Sequence, residues 1–210
     1  MSVVQQSRDA FIQAAAVPRD ALAAFDAYAG LISHWQTRIN LIGPKTLEAL
    51  WGRHFMDSAQ LFAHLPADTR TITDIGSGGG FPGLVLAIMT AHQGGPRVTL
   101  IESDARKAAF LREASRVCGA GATIINGRAE TTKIPAADVV TARACAPLPR
   151  LLPWVFGLLR AEGTALLLKG ANWRDELTAA EKGWKMDSTE IPSQTDTSGV
   201  ILKLEGLNRN

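Results

Sequence analysis

Between Thr71 and Gly83 the chain reads TITDIGSGGGFPG, with an apolar segment, Leu84–Ala91, directly behind it. Five glycines in eight residues are hard to justify as a plain connection. Each glycine adds backbone entropy that folding must overcome. The density makes sense where a tight turn needs positive φ, or where a ligand must approach the main chain more closely than a Cβ allows. Pro82 suits the first turn of a helix, where its missing N–H is not needed. The segment predicts a strand, a ligand-bearing loop and a helix in succession.

The rest of the chain extends that pattern in one direction only. Before Pro66 the sequence reads as helical. Leu22, Phe25, Ala29, Ile32 and Trp35 recur at the period of an amphipathic helix that starts after Pro18. Gly43-Pro44 breaks the chain, and a second helix is expected from Lys45 to about Leu65. After Pro66, β-prone runs at Thr71–Ile75, Arg97–Ile101, Thr123–Ile125, Asp138–Ala142 and Thr164–Lys169 are interleaved with helical stretches such as Ala105–Cys118. Such alternation predicts an α/β fold with a mostly parallel sheet covered on both faces. Trp184–Ile191 and Gly199–Leu204 instead read as a terminal antiparallel hairpin. Residues 1–65 are thus expected to be a helical extension packed on a core of residues 66–210, together one structural unit.

Composition narrows the class of function. A net charge of +2 makes the whole chain no obvious polyanion binder, although a local basic face remains open. Cys118 and Cys145 fit no zinc or CxxC spacing and read as reduced thiols, so no metal site is expected. The N-terminal stretch lacks the apolar segment of a signal peptide, and no run is long enough to span a membrane. A cytoplasmic protein is the expectation.

Two ligands compete for the loop. Gly78, Gly80 and Gly83 satisfy GxGxxG, a weak dinucleotide signal by itself. Asp74, two residues ahead of the first glycine, would oppose a pyrophosphate and suits a sulfonium with an amino group. Glu102 closes the next strand, where a carboxylate can accept bonds from both hydroxyls of a ribose; that feature serves either cofactor.

Asp74-x-Gly-x-Gly-x-Gly, Glu102 and the terminal hairpin together resemble the Rossmann-like, class I S-adenosylmethionine-dependent methyltransferases. Further elements are similar to one family among them, the bacterial ribosomal small-subunit RNA guanine-N7 methyltransferases, also called glucose-inhibited division protein B. They are Trp35 with Asn40-Leu41, Arg53-His54 with Asp57-Ser58, the loop through Phe81-Pro82-Gly83, and Glu102-Ser103 with Lys107 and Phe110-Leu111-Arg112. Arg128-Ala129-Glu130, Arg143-Ala144 and Leu168-Lys169-Gly170 complete the set. The resemblance spans roughly residues 35–170.

It implies that S-adenosyl-L-methionine is the cofactor, with Asp74, Gly76, Ser77, Gly78, Phe81 and Glu102 around it. Ala129 and Glu130 would lie at its adenine end. Arg143 would reach the cofactor or the reacting region, and Lys169 would help to position the target. The implied substrate is a guanine of 16S ribosomal RNA in the 530 loop, free or in the small subunit, methylated by a monomer. Family members often carry a proline in the glycine loop, where this chain has Gly79 and Gly80. His54 and Asp57, spaced i, i+3, serve either the site or the bracing of the helical region against the sheet.

The chemistry is consistent with the residues. Guanine N7 already offers a lone pair, so its methylation needs no general base. Positioning is the main task. Because the purine becomes cationic, Arg143 and Lys169 are expected to hold O6 or phosphate rather than N7. The fourth strand ends Thr141-Ala142-Arg143-Ala144-Cys145-Ala146-Pro147, which lacks the [Asn/Asp]-Pro-Pro-aromatic element usual for methylation of exocyclic amines. Cys145 has no preceding proline of the kind carbon-5 methylation usually shows. Arg38, Lys45 and Arg53, and Arg106, Lys107, Arg112 and Arg116, are candidates for RNA contact. A small-molecule methyltransferase and a non-catalytic RNA-binding assembly factor are the alternatives.

Overall fold

The computed structural model describes residues 3–15, 17–43, 46–91 and 94–210. Its centre is a seven-stranded sheet of order β3-β2-β1-β4-β5-β7-β6. The strands are β1 (Thr71–Ile75), β2 (Arg97–Glu102), β3 (Thr123–Asn126), β4 (Ala137–Arg143), β5 (Leu159–Lys169), β6 (Trp184–Pro192) and β7 (Val200–Arg209). The first five are parallel; β7 runs antiparallel to both β5 and β6. The strand order reverses between β1 and β4, so the connections that follow these two strands diverge and open a crevice at their carboxyl ends. Register decides which residues meet there. Ile75 lies beside both Ile101 and Ala142, so Glu102 and Arg143 each stand one residue beyond the same level. Arg143 in turn pairs with Leu168, which places Lys169 at the next strand tip.

Helices α1 (Val3–Ala14), α2 (Leu22–Gln36), α3 (Met56–Ala59), α4 (Gly83–Thr90) and α5 (Ala105–Val117) contribute to one hydrophobic cluster. Phe11, Phe25, Tyr28 and Phe55 share this core with Leu84 of α4 and Phe110 of α5, so the N-terminal residues complete the interior of the sheet's neighbours. Helices α6 (Leu148–Leu158) and α7 (Trp173–Glu181) pack with the hairpin in a second cluster around Leu152, Trp173 and Trp184. α5 begins with a side-chain cap: the Asp104 carboxylate accepts from the amides of Arg106 and Lys107.

Three expectations change. The helix expected over 45–65 is not continuous, and Lys45 lies outside the described residues. A wide π turn, Leu50–Phe55, leads into α3 and then into a 3-10 turn, Gln60–His64. The wide turn buries Leu50, Trp51, His54 and Phe55 on one side. β5 begins at Leu159 rather than Thr164. Third, two helices stand where none is expected, α6 and α7, although Leu148, Leu151, Leu152, Val155 and Leu158, and Trp173, Leu177 and Ala180, recur at helical spacing. α6 contains Pro149 and Pro153, and an interior proline ordinarily argues against a helix.

Candidate functional site

A cavity of about 1200 Å³ occupies the crevice, lined by the loop after β1, the ends of β2, β4 and β5, the β6–β7 loop, and Leu41, Ile42, Arg53, His54 and Asp57 of the N-terminal region. The glycine loop forms one end. Gly76 has φ +66° and Gly80 φ +95°, both left-handed. A Cβ on Gly76 would fall 2.4 Å from Cys145 Sγ, and one on Gly80 would fall 2.2 Å from the Tyr28 hydroxyl. Glycine is therefore required at both positions by conformation and by space. The Tyr28 hydroxyl donates to the Gly79 carbonyl, so α2 holds the loop from behind. Glu102 is buried and accepts from the amide of Gly78 at 2.8 Å and that of Asp104 at 2.7 Å. Gly76, Ser77, Gly78, Phe81 and Glu102 all line the cavity. Open main chain beside a fixed carboxylate fits the ribose and amino-acid portions of S-adenosylmethionine.

Asp74 lies elsewhere than its place in the motif implies. Its carboxylate is fully buried and does not line the cavity. Oδ1 accepts from the Thr141 hydroxyl at 2.7 Å, and Oδ2 lies against Gly83. Burial pushes its pKa up to about 6. Asp74 therefore packs beneath the start of α4 and does not face the cationic ligand expected of it. Ala129 and Glu130 likewise do not line the cavity. Ala129 is partly buried against the second hydrophobic cluster, and Glu130 is exposed.

The opposite end is built from paired side chains. Arg143 Nη1 donates to Asp57 Oδ2 at 3.1 Å, and Nη2 donates to His54 Nδ1 at 2.8 Å. The guanidinium also sits 4.9 Å from the centre of the Phe81 ring. Because Nδ1 accepts from arginine, the proton of neutral His54 is on Nε2, which donates to Thr46 Oγ1 at 2.8 Å. Burial and the nearby Arg143 and Arg53 charges push the His54 pKa down to about 3, in keeping with that neutral form. Asp57 Oδ1 also accepts from Thr195 of the β6–β7 loop at 2.8 Å and from Gln60 at 3.0 Å. His54 and Asp57 thus tie the helical region to the tip of β4 through Arg143.

Lys169 is also committed. Its Nζ donates to the Ala146 carbonyl at 2.8 Å and to Glu176 at 2.7 Å. Glu176 accepts the amide of Leu148 as well, so this lysine fixes the loop that leads into α6. Arg143 and Lys169, expected to hold O6 or phosphate, both line the cavity, and each is already paired with a carboxylate of the protein. Arg53 and Lys107 line the cavity, and no ion pair is formed by either among the described residues. Arg106 pairs with Asp104 and Arg116 with Glu113; Arg38 bonds His34, and Arg112 lies at a shallow depression far along α5. Tyr28, Thr195, Asp196 and Glu176 belong to no motif that marks them in the sequence. Tyr28 is the chain's one tyrosine, yet its periodicity marks only a buried helix face.

Residues 21–200 match the family model GidB, described as rRNA small subunit methyltransferase G. The chain is 50% identical over 193 residues to Ribosomal RNA small subunit methyltransferase G of Paramagnetospirillum magneticum, covering 92% of each chain. It is 52% identical to the protein of the same name from Rhodospirillum centenum, covering 92% of this chain and 88% of that one. Among solved structures, a SAM dependent methyltransferase from Aquifex aeolicus aligns at TM-score 0.58 and 12% identity, covering 85% of this chain and 97% of that one. M. jannaschii TYW2, solved with AdoMet, aligns at TM-score 0.57 and 15% identity, covering 83% and 80%. The structural likeness establishes the class I methyltransferase fold. The sequence likeness goes further: this chain belongs to the GidB family, rRNA small subunit methyltransferase G.

Proposed function

We propose that the chain transfers a methyl group from S-adenosyl-L-methionine to N7 of a guanine in 16S ribosomal RNA, in the 530 loop. The observation that carries the reading is a single cavity with the glycine loop and Glu102 at one end and the tips of β4 and β5 at the other, in a chain of this family. When bound, the cofactor supplies an electrophilic methyl group on a sulfonium. The backbone of Gly76, Ser77 and Gly78 cradles it, and Glu102 accepts from its ribose. Phe81 closes the floor, and Asp74 supports the loop from below. Ala129 and Glu130, just outside the lining, would flank the adenine end, Glu130 being near enough to act electrostatically on Cys145, which lines the cavity.

The chain's own contribution at the reacting end is alignment. N7 brings its own lone pair, so no residue has to remove a proton before transfer. Arg143, held by Asp57 and His54, and Lys169, held by Glu176, fix the walls against which the base is placed. Pairing also suits the product, because an unpaired cation close to N7, where positive charge arrives, would oppose the transfer. Residues 1–65 act with residues 66–210 as one unit, and the enzyme works as a cytoplasmic monomer on the ribosomal RNA or the small subunit.

Mass spectrometry of small-subunit RNA from cells with and without this gene tests the reading. The expected difference is the loss of one N7-methylguanosine. An unchanged modification profile refutes it.

A further inference from the structure

Arg143 and Lys169 are both spent on internal partners, so recognition of the base falls to other groups that line the cavity. The β6–β7 loop supplies one. Asp196 lines the cavity directly after Thr195, whose hydroxyl shares the Asp57 carboxylate with Arg143. Two bonds, from the Ser198 amide at 2.9 Å and the Ser198 hydroxyl at 2.7 Å, both fall on Asp196 Oδ1. They fix the orientation of the carboxylate, and neither falls on Oδ2. The loop is itself anchored, since the Gln194 amide donates to Gln60 at 2.9 Å and Gln60 donates to Asp57. Arg53 lines the same mouth and is close enough to act electrostatically on Asp196.

A cation and a carboxylate at the same mouth match one edge of one base. Along its Watson–Crick edge guanine presents the O6 acceptor, then the N1–H and N2–H donors. Adenine presents a donor and then an acceptor. Recognition of that edge also leaves N7 on the far side of the base, facing the methyl donor, whereas bonds to the Hoogsteen edge would cover N7.

We propose that Asp196 reads N1–H and N2–H of the reacting guanine while Arg53 reads O6, so that the β6–β7 loop sets the base specificity of the site. The proposal rests on the guanine-N7 reading above.

The test uses the full chain with small-subunit particles from cells lacking the gene, reconstituted with guanosine or inosine at the target. Inosine lacks the N2 amino group. The wild type is expected to methylate guanosine about tenfold more efficiently than inosine, one hydrogen bond's worth of discrimination. Asp196→Asn keeps an oxygen for Ser198 but turns a donor toward the donors of guanine. It should lower kcat/KM for guanosine RNA by roughly 100-fold and abolish the preference over inosine, with S-adenosylhomocysteine affinity unchanged by calorimetry. Ser198→Ala, which loosens the same turn, should keep the preference. If Asp196→Asn retains the full preference for guanosine, or loses cofactor affinity in step with activity, the proposal falls while the function stands. If the wild type places no methyl group on guanosine N7, the function itself falls and takes this inference with it.

Discussion

The two ends of the cavity are made of different material. At the β1–β2 end the surface is mostly main chain, shaped by glycines that no other residue can replace and held from behind by the Tyr28 hydroxyl. At the β4–β5 end it consists of long side chains whose charges cancel in pairs, Arg143 with Asp57 and Lys169 with Glu176. A main-chain cradle has few conformers and suits a cofactor that is the same in every turnover. Paired side chains tolerate small shifts and suit a large substrate that must enter and leave. The comparison also separates two kinds of failure: damage at the first end should remove cofactor binding, and damage at the second should misplace the target while the cofactor still binds.

The largest expected effect attacks the first end. Gly76→Ala places a methyl group 2.4 Å from Cys145 Sγ in a left-handed conformation. Strain and overpacking together should reduce stability by about 3 kcal/mol. A thermal melt should show a drop of roughly 10 °C, and calorimetry should show S-adenosylhomocysteine binding weakened beyond detection. Retained cofactor affinity would break the comparison.

A smaller effect is expected from Asp57→Asn. It leaves Arg143 with a neutral partner and should reduce stability by about 2 kcal/mol. Here kcat should fall while S-adenosylhomocysteine affinity stays within about twofold, the reverse of Gly76→Ala. Parallel loss of both would mean that the two ends are one mechanical unit.

The smallest effect is in pH dependence. His54 has a native pKa of about 3 against an ordinary 6.5. Between those values the unfolded chain binds the proton first, so this histidine's contribution to stability is present above pH 6.5 and is lost as pH falls toward 3. Asp74, raised to about 6 from 3.8, works the other way, because the native state binds its proton first and gains as pH falls through about 6. His54→Asn keeps an acceptor for Arg143 and removes the titration. Urea midpoints measured from pH 7 to pH 4 should fall less steeply in the variant. An unchanged slope would show that His54 does not report on the second end.

The same division explains what is legible in the sequence. TITDIGSGGGFPG declares its geometry because glycine is the residue that a positive φ demands, and the strands around it carry β-branched runs of ordinary length. Local pattern alone therefore places the first end. Asp74 shows the limit of that approach. Its position in the motif suggests a ligand contact, yet a carboxylate at a strand tip can turn down beneath α4 as readily as outward, and sequence spacing does not distinguish the two. The second end is harder to read. Arg53-His54 and Asp57-Ser58 stand out only by resemblance, because their partners Arg143 and Thr195 are 86 and 138 residues from Asp57 along the chain. Glu176 lies on α7, whose apolar face of Trp173, Leu177 and Ala180 gives no sign that Glu176 reaches Lys169, and Pro153 interrupts the helical pattern of α6. Long-range pairing of charged side chains leaves no periodic mark for a local pattern to detect.

Tyr28 reaches the Gly79 carbonyl across 51 residues of chain. A fragment trimmed to the strand–loop–helix core would leave that carbonyl without its donor and strip the ring that stacks on Phe81. The nucleotide-fold portion is therefore not a transplantable cassette. A chimera that swaps the N-terminal helices between relatives must carry position 28 with the loop it serves.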